Sequence, residues 1–147
     1  MQKLSNQILD LRELEKLTTN LSKDISLGDV YLFQGELGAG KTTFIRLLIN
    51  NLYVLNNLPK PVSIISPTYP ILITYELSSL QIYHYDLYRL KNLKELEELD
   101  FFENLNNNIT FIEWPEMLIN LPLNKKHYLI NLDMISESKR KINICFK

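Results

Sequence analysis

The stretch "GELGAGKT", Gly35 to Thr42, constrains the fold of this chain more than any other segment. It fits G-x-x-x-x-G-K-[ST], a loop whose backbone N–H groups cradle phosphates. Three of the four glycines in the sequence lie in it, so glycine is spent here rather than scattered. "DVYLFQ", Asp29 to Gln34, reads as a short apolar strand entering the loop. Behind the loop, Phe44, Ile45, Leu47, Leu48 and Leu52 recur at helical spacing. Strand, glycine turn and helix start together form a nest that attracts a polyphosphate. The expected nucleotide-binding residues are therefore Gly35, Glu36, Leu37, Gly38, Ala39, Gly40, Lys41, Thr42 and Thr43. Lys41 would reach the β- and γ-phosphates, and the Thr42 hydroxyl would ligate Mg²⁺.

At 147 residues the sequence is read as one domain, residues 1–147, long enough for a real core. A formal net charge of −1 argues against a protein that grips nucleic acid through a basic stripe. The single cysteine, Cys145, rules out an internal disulfide framework and suits the cytosol. No apolar run reaches the roughly eighteen residues of a membrane span. The leading "MQKLSNQILDLRELEKL" turns charged and helical too early for a signal peptide. A soluble cytoplasmic domain without membrane contact is the expectation.

Asp10 and Glu13 form a capping box, and Leu11, Leu14, Leu17 and Leu21 give the helix that follows an apolar stripe. Gly28-Asp29 turns the chain into the loop strand. After the loop helix, an apolar run from Val62 to Ile65 ends at "SPTYP". "ILITYE" and "QIYHYD" flank Leu77-Ser78-Ser79-Leu80 as a hairpin. Asn92 and Glu95 form a second capping box, opening a helix that runs to about Phe102. "NITFIEWP" reads as a short buried strand, and "HYLINLD" with "KINICF" as a closing hairpin. This alternation favours an α/β fold with a mixed sheet, parallel in its centre and antiparallel at its edges.

Absences narrow the kind of phosphate-binding protein. No glycine follows Gly40, which excludes the D-x-x-G switch of signalling GTPases and the signature of transporter ATPases. The guanine-reading N-K-x-D has one near miss, "NKKH" at Asn124 to His127, with His in place of the base-reading carboxylate, so adenine is favoured. Only Arg12, Arg46, Arg89 and Arg140 are available to clamp a transferred phosphoryl group, which disfavours a small-molecule kinase. A second carboxylate is still needed near Mg²⁺ and the attacking water. Asp86, Glu113 and Asp133 each end an apolar run, and pattern alone does not choose among them.

In order along the chain come "GELGAGKTTF", "SPTY" (Ser66 to Tyr69), "HYDLYRL" (His84 to Leu90) and "EWPE" (Glu113 to Glu116). That order and spacing resembles the TsaE family, also called YjeE, over about Asp10 to Phe146. The resemblance implies a P-loop NTPase-type three-layer sandwich. It also implies an ATPase subunit of bacterial tRNA threonylcarbamoyladenosine synthesis, acting with TsaB-like and TsaD-like partners that hold the tRNA. Its cofactors would be ATP and Mg²⁺. By the same resemblance Lys41, Thr68, Asp86 and Glu113 are the candidate catalytic residues, and Thr42, Asp86 and Glu113 the candidate metal ligands. Asp133 drops back to a solvated strand end. Trp114 would lie close to the nucleotide, while His84 reads as a packed strand residue. Arg89 reads more readily as the partner of a carboxylate such as Glu95 or Glu98 than as a transition-state cation.

The adenine has no pocket legible in the sequence. Leu11, at the start of the first helix, and Arg140, in the closing hairpin, are its expected edges, and Arg140 is placed to stack on the base. Pro70 departs from the family pattern in a way that would stiffen the "SPTY" segment, and a C-terminal tail found in relatives is expected to be missing. Two rivals remain: a small-molecule P-loop kinase, and an adaptor gated by nucleotide without essential hydrolysis.

Overall fold

The computed structural model describes residues 4–121, 123 and 125–147. Asn124, which begins the near-miss "NKKH", lies outside them, as does the Met1–Lys3 part of the leading segment. Seven strands and four helices follow one another as β1 (Leu4–Leu9), α1 (Leu11–Leu21), β2 (Val30–Gln34), α2 (Lys41–Leu55), β3 (Leu72–Leu77), β4 (Leu80–Asp86), α3 (Leu93–Glu97), α4 (Phe101–Asn104), β5 (Ile109–Glu113), β6 (His127–Met134) and β7 (Arg140–Phe146). A 3₁₀ turn at Ser22–Asp24 extends α1.

The sheet order is β1-β7-β6-β2-β5-β4-β3. β2 is parallel to both β5 and β6, and β4 is parallel to β5. The β3–β4, β6–β7 and β1–β7 pairs are antiparallel. The expected parallel centre with antiparallel edges is therefore present. β2 is the central strand, buried on both faces along "VYLF", which is why it carries no alternation.

Side chains of period two sort the core into two layers. Tyr31, Phe33, Phe111 and Ile130 pack with Phe44, Ile45 and Leu48 of α2 on one face. Val30, Leu32, Tyr85 and Ile112 pack with Leu96 and Phe101 of α3 and α4 on the other. Helices on both faces of a sheet make the three layers, and all functional positions discussed below lie at one end of it.

Two elements depart from the sequence reading. Before the helix that opens at Asp10, where the reading assigns no element, residues 4–9 form β1, an edge strand that among the described residues pairs with β7 alone, with Asn6 at φ 53° and a register shift between Leu4 and Gln7. Its residues 5–8 are exposed, so it has no apolar alternation to announce it. The helix expected from Asn92 to about Phe102 is broken in two at Asp100, whose φ is 53°. In one continuous helix Leu96 and Phe101 would point about 140° apart. The left-handed step instead lets both reach the same core, where Phe101 meets Tyr85 at 5.0 Å between ring centroids. The run Val62–Ile65 joins no strand; only Ile64 of it is buried.

The first capping box is complete. The Asp10 carboxylate accepts the Glu13 N–H at 2.9 Å, and the Glu13 carboxylate accepts the Asp10 N–H at 2.8 Å. Asp10→Ala is expected to cost about 1 kcal/mol, read as a lower urea midpoint with an unchanged slope.

Candidate functional site

β2 delivers the chain into the phosphate loop, and α2 leaves it at Lys41 with Gly40 as N-cap at φ 102°, a left-handed conformation suited to glycine. At Gly35 a Cβ would sit 2.5 Å from the Leu132 carbonyl oxygen of β6, so the loop can pass that close only without a side chain. Leu37, at the tip, is exposed.

Three charged side chains converge beneath the loop: Lys41, Asp86 and Glu113 are 5 %, 2 % and 3 % exposed. Burial at this level requires partners. The Lys41 ammonium donates to the carbonyls of Gly35 (2.6 Å) and Glu36 (3.0 Å) and lies 3.7 Å from the centroid of the Trp114 ring. Burial pulls its pKa below the ordinary lysine value, while Glu113, Glu116 and Asp86 oppose that shift. The Thr42 hydroxyl donates to the Glu113 carboxylate, 2.8 and 3.0 Å from its two oxygens. Asp86 Oδ2 accepts from Ser66 Oγ (2.5 Å) and Thr68 Oγ1 (2.9 Å), and its Oδ1 accepts the Tyr88 N–H (3.0 Å).

Strand register explains which acids meet. Asp86 and Glu113 are paired neighbours on parallel β4 and β5, and both share the face of their strand that carries core residues under α2. On β6, Ile130 and Leu132 take that face, so Asp133 points to the opposite one, where it pairs with Lys141 at 3.2 Å. Asp133 therefore stands away from Asp86 and Glu113, and borders instead, with Gly35 and Glu36, a separate cavity at the start of the loop.

His84 does more than pack. It is fully buried, and its Nε2 lies 2.8 Å from Glu113 Oε1. Toward an ionised carboxylate, which only accepts, this contact takes the tautomer with its proton on Nε2. The imidazole and the Thr42 hydroxyl thus hold Glu113 from two sides. Sequence reading missed this contact: the spacing in "HYD" places His84 and Asp86 on one face of a strand but does not point to Glu113.

Trp114 follows Glu113 at φ 57°, a left-handed position for a bulky residue, and such strain costs on the order of 1–3 kcal/mol. The step turns its ring over Lys41 and against Tyr88, 4.8 Å away between centroids. Arg89 lies over the Tyr69 ring at 5.1 Å, tying "HYDLYRL" to the "SPTY" segment.

A cavity of about 470 Å³ joins Gly35 and Glu36 to Trp114 and Asp133, and two more flank the loop and share Gly40 and Thr43. One, of about 350 Å³, is polar and bordered by Lys41, Thr42, Thr68, Asp86 and Glu113. The other, of about 560 Å³, is bordered by Leu9, Leu11, Leu14, Leu132, Ile142 and Arg140. The structure thus brings Leu11 and Arg140 to one apolar hollow beside the loop.

The family model described as "Threonylcarbamoyl adenosine biosynthesis protein TsaE" matches residues 8–142. The chain belongs to the TsaE family. Among curated TsaE proteins, the one from Rickettsia felis is 42% identical over 132 residues, covering 90% of this chain and 74% of that protein. The TsaE of Aquifex aeolicus is 30% identical over 145 residues, covering 98% of each. Both carry the name tRNA threonylcarbamoyladenosine biosynthesis protein TsaE. The crystal structure of Bacillus subtilus YdiB aligns with a TM-score of 0.68 at 23% identity, over 97% of this chain and 84% of that one, a likeness of fold. Among the described residues no helix is long and apolar enough to cross a membrane.

Proposed function

We propose that this chain is the ATP-hydrolysing subunit of the machinery that places the threonylcarbamoyl group on adenosine 37 of tRNAs, working in the cytoplasm with TsaB-like and TsaD-like partners. The observation that carries the chemistry is the contact between Thr42 and Glu113, with Lys41 and Asp86 bordering the same polar cavity. That cavity offers a hydroxyl and two carboxylates, an all-oxygen donor set that fits Mg²⁺. Thr42, Asp86 and Glu113 would hold the ion, directly or through water, and it would neutralise charge on the phosphates.

The chain's own groups divide the remaining tasks. Loop N–H groups bind the phosphates, and Lys41 exchanges its two backbone carbonyls for phosphate oxygens. Glu113, oriented by Thr42 and His84, positions the attacking water. Thr68 stands ready beside it once its bond to Asp86 is released. The apolar cavity beside Leu11 takes the base. The near-neutral charge suits a subunit that leaves most tRNA contact to its partners.

Release of phosphate from Mg·ATP by the purified chain, alone and with its partners plus tRNA, tests the proposal. Slow release that rises in the complex is expected. Binding without release in either condition would move the assignment to a nucleotide-gated adaptor, a reading suited by the Ser66–Asp86–Thr68 contacts that tie a loop to the site.

Trp114 is the only tryptophan, so its emission reports one place. Drawing Lys41 from its ring onto phosphate is expected to shift or enhance that emission, saturably with ATP. An emission spectrum unchanged at saturating ATP would mean that Lys41 stays on the indole.

A further inference from the structure

Arg140 opens β7, immediately after the hairpin turn, and its guanidinium is spent on backbone carbonyls. Nε donates to the Ala39 oxygen at 2.9 Å and Nη2 reaches the Gly38 oxygen at 3.4 Å. Nη1 donates to the Ser136 oxygen at 2.8 Å and the Lys139 oxygen at 3.1 Å, with Glu137 at 3.4 Å. One planar group therefore ties the phosphate loop to a turn some hundred residues away in sequence.

The tie has a geometric consequence. A trans peptide holds its C=O and N–H on opposite sides. Fixing the Ala39 carbonyl on Arg140 turns the N–H of Gly40, in the same peptide unit, the other way. Arg140 and Ala39 border the apolar cavity, Gly38 borders the polar one, and Gly40 stands between the two and borders both. The neighbouring unit is fixed at both ends, its Gly38 carbonyl near Nη2 and its Ala39 N–H donated to the Glu36 oxygen at 3.0 Å. We infer that Arg140 is a positioning residue that presets the phosphate loop through the Gly38 and Ala39 carbonyls. This inference rests on the nucleotide reading above, and it differs from stacking on the base, which would use the guanidinium face instead of its N–H edge.

A lysine keeps the charge but not the planar fork, so Arg140→Lys separates bracing from simple attraction of phosphate. Calorimetric titration with Mg·ATP and with inorganic tripolyphosphate separates bracing from stacking, since only ATP carries a base. Arg140→Lys and Arg140→Met are each expected to weaken both ligands by the same factor, about ten-fold or more, with the melting temperature as a check that the fold persists. In amide NMR of the free protein, Arg140→Lys should also move the Gly40 resonance. Loss of ATP affinity with tripolyphosphate unchanged would overturn the inference in favour of stacking. Wild-type affinity for both ligands in Arg140→Lys would overturn it in favour of charge. A wild-type chain that binds neither ligand would instead overturn the nucleotide reading, and the inference with it.

Discussion

Lys41→Ala is expected to abolish measurable ATP turnover and to weaken ATP binding by one to two orders of magnitude. The ammonium is buried, and among the described residues its direct contacts are the Gly35 and Glu36 carbonyls and the Trp114 ring, with Glu113, Glu116 and Asp86 acting on it at longer range. The direct contacts are weak partners for a full charge, so a phosphate oxygen competes with them easily. A hydrogen bond from a charged donor contributes about 1.5–3 kcal/mol, which corresponds to roughly 10- to 150-fold in affinity. Charge that develops in the transition state adds a further loss of about 10²–10³ in rate. Alanine removes the charge without stranding it, because the two carbonyls it leaves can take water. The fold should therefore survive, and a melting temperature within a few degrees of wild type would confirm that lost binding is local. Calorimetry and phosphate release together decide the matter: a variant that binds ATP as wild type does would remove Lys41 from the phosphate site.

The phosphate loop was legible because its signal is local. Strand, glycines, lysine and helix lie in one stretch, and each demands its neighbours. The hairpin at Ser78-Ser79 was legible for the same reason. β1 was not, because an edge strand with four exposed residues in a row has neither alternation nor an apolar run. The break at Asp100 was hidden because the helical spacing around it is good; what splits the helix is the need to bring Leu96 and Phe101 into one core.

Choosing among Asp86, Glu113 and Asp133 shows where pattern stops. All three end apolar runs, so a one-dimensional reading ranks them equally, and only the family resemblance separated them. Sheet order supplies the missing term. Parallel pairing of β4 with β5 sets Asp86 beside Glu113, while the parity of β6 turns Asp133 to the far face. His84 is the converse case. Its contact with Glu113 joins residues 29 apart across two strands, and nothing in "HYD" names that partner.

Glu113→Gln is expected to cut turnover by about 10²–10⁴ while changing ATP affinity by less than about three-fold. The amide keeps the volume of the carboxylate, and its oxygen can still accept from Thr42. What it loses is charge toward the ion and the ability to accept at both oxygens. With its oxygen at the Oε1 position the amide accepts from both Thr42 and His84 Nε2, so the two contacts that orient it persist. Two positions for the acid then separate cleanly. If Glu113 serves mainly by orienting water, the Mg²⁺ concentration giving half-maximal turnover stays near the wild-type value while the maximum collapses. If it ligates the ion directly, that concentration rises as well, and Asp86→Asn should show the same rise. Hydrolysis by Glu113→Gln at the wild-type rate would take the residue out of the mechanism. The burial of its carboxylate between Thr42 and His84 would then be structural.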